Sequence, residues 1–150
     1  MIRTACTALM LSSLALALQA QEPRPTVVIA QATPKAIGEA LRDALKAQNF
    51  KLWSNGKKRI VLVQPRGDIA QSTGEIIRVR LEVGFTVEEV PEGHRVTLAD
   101  ETLIGERSIG MEQRRPQDLE RNRQSYQNLL NQLKAALEPH PAADSAGGSM

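Results

Sequence analysis

Cysteine is nearly missing: Cys6 is the only one in the chain, and it stands ahead of an apolar run, not behind it. That excludes a disulfide framework and a metal site made of paired thiolates. The position also argues against a lipoprotein anchor, whose acylated cysteine closes the leader. Aromatic side chains are equally scarce, with Phe50, Trp53, Phe85 and Tyr126 the only rings. Readers of single-stranded nucleic acid stack bases on aromatic faces, and four scattered rings that a core would claim do not suit that class. There is no Gly-rich phosphate loop, no Gly-x-Ser-x-Gly elbow, no His-Glu-x-x-His pair and no Asn-x-Ser/Thr acceptor site. No specific catalytic mechanism can be defended on motifs, and no cofactor or metal is expected.

Charge of one sign is lacking too. Of 19 basic and 17 acidic residues, only Arg3 lies before residue 21, which leaves 18 against 17. A balance so near neutral gives no general attraction to nucleic acid or acidic membranes.

What is present begins with Arg3 and an apolar stretch from Ala5 to Leu18, interrupted by Thr7, Ser12 and Ser13. Charge, apolar core and small-residue exit are the layout of a cleavable signal peptide, and residues 1–20 are read as one, with the cut after Ala20. The stretch is shorter than the roughly 20 apolar residues that cross a bilayer, and Pro23 and Pro25 follow without a basic stop-transfer cluster. The mature protein is therefore expected in the periplasm or the medium, with no transmembrane span after cleavage. Residues 21–138 are long enough to bury one core without staples, and 139–150 read as a disordered Gly/Ser tail.

Along the chain, Val27, Val28 and Ile29 mark a short strand over 26–30. Thr33 and Pro34 suit the cap and first position of a helix running to Gln48, with Ile37, Leu41 and Leu45 on one face. Asn55-Gly56 favours a tight hairpin turn, after which Ile60 to Val63 form a β-branched run that Pro65 is expected to stop. From Ile77 to Val87 apolar and polar residues alternate, the pattern of a half-buried strand. Pro91-Glu92-Gly93 turns the chain, and Arg95 to Ala99 return antiparallel with Val96 and Leu98 facing one way. Residues 103–111 are compatible with either a bulged edge strand or an ordered loop. From Pro116, Leu119, Tyr126, Leu130, Leu133 and Leu137 recur at helical spacing.

This order, β-α-β-β-β-β-α, predicts an α+β fold. Two helices and an antiparallel sheet of about four strands each have one apolar side, and a two-layer sandwich with both helices on one sheet face would hide all three.

Candidate binding residues fall into three groups. Trp53 faces away from Phe50 and Leu52, as a binding anchor does; cover by the first strand or the last helix is the alternative reading. Lys57, Lys58 and Arg59 follow the hairpin turn. Arg114, Arg115, Arg121 and Arg123 surround the expected start of the last helix, where positive charge opposes the helix dipole and an anion would be welcome. Against an anionic ligand there, Glu112, Asp118 and Glu120 neutralise much of the charge. His94, with Asp100 or Glu101 across the hairpin, is the only arrangement resembling a metal or hydrolase site, and a solvated turn explains it more simply. His140 sits between prolines in the tail. The paired acids Glu88-Glu89 and Asp100-Glu101 point to opposite faces of their strands and read as solvated.

These residues support no resemblance to a named family. The leading expectation is an exported, non-catalytic domain that binds another envelope protein. The alternatives are a binder of anionic polymer or lipid headgroups through the basic patch, and a metal-dependent hydrolase using His94.

Overall fold

The computed structural model describes residues 23–108 and 110–138. The expected leader, 1–20, and tail, 139–150, lie outside the described residues.

In chain order the elements are β1 (Thr26–Ile29), α1 (Pro34–Leu45), β2 (Lys51–Asn55), β3 (Arg59–Ala70), β4 (Ile76–Val90), β5 (Gly93–Arg107), β6 (Glu112–Pro116) and α2 (Arg123–Leu137). The fold is α+β, with a six-stranded sheet instead of about four strands. Every strand pairing is antiparallel. The order is β1-β5-β4-β3-β2, and β6 shares the outer edge of β5 with β1.

Local chemistry explains the first half. The Thr33 hydroxyl accepts from the Ala36 amide at 3.2 Å, capping α1, and Pro34 opens the helix. The helix ends earlier than expected, at Leu45, and a 3-10 turn over Lys46–Gln48 leads to Asn49 in the left-handed region, φ 64°. Asparagine tolerates that conformation better than most residues.

Pro65 does not stop β3, which continues to Ala70. β2 pairs with β3 only as far as Val63, so Pro65 has no neighbour on that side, and a bulge between Pro65 and Gly67 accommodates the ring. The next hairpin turns through Pro91-Glu92, with Val90 opposite Gly93. Gly93 has φ 141°, and a Cβ there would lie 2.2 Å from the Ile29 carbonyl oxygen. Only glycine lets β1 approach so closely.

The open reading of 103–111 resolves in two parts. Leu103 to Arg107 complete β5, and β6 then folds back to pair Glu112 with Glu106 and Pro116 with Thr102. The last helix accordingly begins at Arg123, not Pro116, after a 3-10 turn over Leu119–Asn122 in which the Asp118 carboxylate accepts from the Glu120 amide.

One buried cluster joins Ile37, Leu41 and Leu45 of α1 and Leu130 and Leu133 of α2 to apolar residues of the strands. Ile60 and Leu62, Val83 and Phe85, and Leu98 occupy matching register positions, so all project from one sheet face. Val79, Leu81 and Leu103 continue that face, and Phe85 meets the Tyr126 ring edge-on.

Candidate functional site

Two regions carry side chains whose arrangement exceeds what packing requires. One is the sheet face remote from the buried cluster; the other is a cleft beside α2.

On the far face, Trp53 is the residue of β2 that a bulge leaves without a partner, since Leu52 pairs with Leu62 and Ser54 with Val61. It is 69% exposed, so neither β1 nor α2 covers it. The Arg80 guanidinium lies 5.9 Å from the centre of its ring, within cation–π range. Arg80 is held from behind, bonding Glu106 at 3.2 Å and Glu112 at 3.0 Å. Glu112 also accepts from Arg114 at 3.3 Å. These charges lie over Ile104, which pairs with both Arg80 and Arg114 and is fully buried. The stems of long cationic side chains shield such apolar surface. The hydrogen bond from Arg80, with help from Arg114, holds the Glu112 carboxyl below the usual carboxylate range against a smaller effect of desolvation.

The two lateral edges of the sheet differ. Along β1, α2 supplies side-chain partners to the backbone: Gln127 bonds both the amide and the carbonyl of Thr26, and Lys134 reaches the Val28 carbonyl at 2.8 Å. Glu138 accepts from the Ala30 amide just beyond. That edge is sealed. Along β2, by contrast, no hydrogen bond among the described residues meets the backbone of Lys51–Ser54 on its outer side.

The basic residues do not form one patch. Arg59 crosses Gly84 to bond both oxygens of Asp100, at 3.0 and 2.8 Å, while Lys57 and Lys58 are exposed in the preceding turn. Arg114 and Arg115 lie on β6 and project to opposite faces; Arg121 belongs to the 3-10 turn and Arg123 opens α2 beside Glu120. His94 pairs with Ile29 and Glu89 at the start of β5. Among the described residues no three His, Cys, Asp or Glu side chains converge as metal ligands would.

Sequence reasoning missed the cleft. Plain alternation from Val96 and Leu98 turns Glu101 towards water. The register instead slips at Ala99, with Phe85 opposite Leu98 and Gly84 opposite Asp100, so Glu101 joins the inner face. It is 6% exposed, the only buried charged residue among the described residues, and the expectation of a solvated acid fails because of this bulge. The Tyr126 hydroxyl donates to Glu101. Burial, then the Glu101 bond and charge, push the Tyr126 phenol well above its ordinary range, and Arg66 opposes this weakly. Around the pair, α1, β3 and α2 enclose about 470 Å³ of open space. Nothing in the residue pattern marks these partners, because β3, β5 and α2 bring them from three distant parts of the chain.

No helix among the described residues is long and apolar enough to cross a membrane. Compared with protein-family models, with curated proteins and with solved structures, the chain matches none.

Proposed function

We propose that the protein is an exported, non-catalytic domain that binds another protein of the cell envelope, accepting an extended segment of that partner beside β2. The reading takes α1 and α2 as one layer over the inner sheet face, which leaves the far face and the β2 edge for the partner. Its main support is Trp53, exposed on a bulge of an edge strand whose outer backbone has no partner among the described residues. Strand addition draws affinity from backbone hydrogen bonds and specificity from neighbouring side-chain pockets. Trp and Arg are the residues that most often dominate protein interfaces, and here Arg80 and Trp53 are in contact. Export rests on the leader pattern of residues 1–20.

The test is a photo-crosslinking side chain placed at position 53 and, separately, at Glu39 on the exposed side of α1, each in the native host. A specific envelope-protein adduct at 53 and none at 39 is expected, with Trp53→Ala abolishing co-purification of that protein. Equal adducts from both positions would reject the surface, and repeated failure to form any adduct would reject the function.

A further inference from the structure

The cleft beside α2 holds the one buried charge among the described residues, and the far-face reading makes no use of it. Its floor and walls combine Phe50, Leu81 and Leu129 with Gln64, Glu101 and Tyr126. The size, 470 Å³, falls within the few hundred to roughly 1,000 Å³ usual for small-molecule sites.

One charged acceptor lining this space, Glu101, has room for a further donor. Glu101 takes the Tyr126 hydroxyl on one carboxylate oxygen, and among the described residues no side-chain or backbone donor reaches the other. Gln64 donates its amide nitrogen to the Gln48 carbonyl at 2.6 Å. A carbonyl can only accept, so the orientation of that amide is fixed, and its oxygen is buried with no partner and no surface open to the cleft. A carboxylate oxygen open to the cleft is met either by water or by a ligand that donates a proton to it.

Charge decides what kind of donor fits. Arg66 and Glu101 are the only charged residues lining the cleft, so a lone ammonium ion would meet the guanidinium as well as the carboxylate. The remaining polar lining is neutral and two-sided: amides from Gln48, Asn122, Asn128 and Gln132, and the Ser125 hydroxyl. Amides and hydroxyls both donate and accept, as do the hydroxyls of a polyol, while the Phe50, Leu81 and Leu129 surfaces suit the C–H face of a sugar ring. We infer that the cleft is a binding site for a neutral polyhydroxylated ligand of one or two sugar rings, donating a hydroxyl to Glu101.

The experiment is a ¹H–¹⁵N NMR titration of the whole protein with glucose, N-acetylglucosamine and maltose, using ethanolamine as the ammonium-bearing control. At least one sugar is expected to give saturable shifts at the amides of Gln64, Arg66, Glu101 and Ser125, with a Kd in the millimolar range or tighter. Glu101→Gln should weaken binding about tenfold with the rest of the spectrum preserved. Three results would overturn the inference: no saturable shift with any of the sugars, undiminished binding in Glu101→Gln, or saturation by ethanolamine alone. Trp53 and β2 are untouched by this change, so failure here leaves the crosslinking test of the far face unaffected, and the reverse.

Discussion

Tyr126 is the single tyrosine of the chain, which makes the chemistry of the cleft directly measurable. Its hydroxyl is the donor that the buried Glu101 carboxylate relies on. Tyr126→Phe removes that donor and leaves an acceptor stranded, a change expected to cost about 1–3 kcal/mol in urea unfolding. The same residue ties stability to alkaline pH. Its folded pKa is raised, so the stabilisation is complete below the ordinary phenol value near 10 and falls as the unfolded chain ionises above it. Tyrosinate absorbance should therefore appear only as the protein unfolds at high pH; a reversible titration near 10 in the folded protein would refute this environment. Neither Tyr126 nor Glu101 was legible as a partner in the sequence. Tyr126 shows only as one member of a helical apolar face, and Glu101 as one of two adjacent acids.

At the level of elements, the sequence was most legible where contacts are local. Thr33 and Pro34 start α1 where a cap and a first-turn proline should, and the alternation from Ile77 to Val87 lies within β4. Legibility failed where a distant strand intervenes. Pro65 reads as a terminator until β2 is seen to end its pairing at Val63, and Glu112–Pro116, four polar residues and a proline, becomes a strand only because β5 is there to pair with it. The Ala99 bulge yields a test. With Ala99 removed, Leu98 and Asp100 would still project to opposite faces, so the deletion is expected to fold with Tyr126 still shielded. Deleting Thr102 instead would flip Leu103 to Arg107 onto the wrong faces, and a much larger loss of thermal stability is expected. Equal losses from the two deletions would contradict the register.

For the whole molecule, the far-face ion network links β4, β5 and β6 through Arg80, Glu106, Glu112 and Arg114. Because the Glu112 pKa is lowered in the folded state, its contribution is complete above the ordinary carboxylate range. As pH falls through that range the unfolded chain takes up the proton first, and the contribution is gone once pH has passed the lowered folded value. The Tm difference between the wild type and Glu112→Gln should therefore be present at neutral pH and vanish in acid. It should also shrink with added salt, since the carboxylate is exposed to solvent. A difference independent of pH would show that Glu112 acts through something other than its charge.

Sequence alone determined that the chain folds as α+β, where α1 and the long strand β4 run, and which of their faces are apolar, because periodicity and caps are properties of neighbouring residues. Tertiary structure alone decided that Glu101 turns inward, that Arg114 and Arg115 lie on a strand, that α2 seals one sheet edge and that Trp53 stands uncovered at the other. Each of these depends on register between segments far apart in the chain, and a shift of one residue in register reverses which side of the sheet a side chain meets.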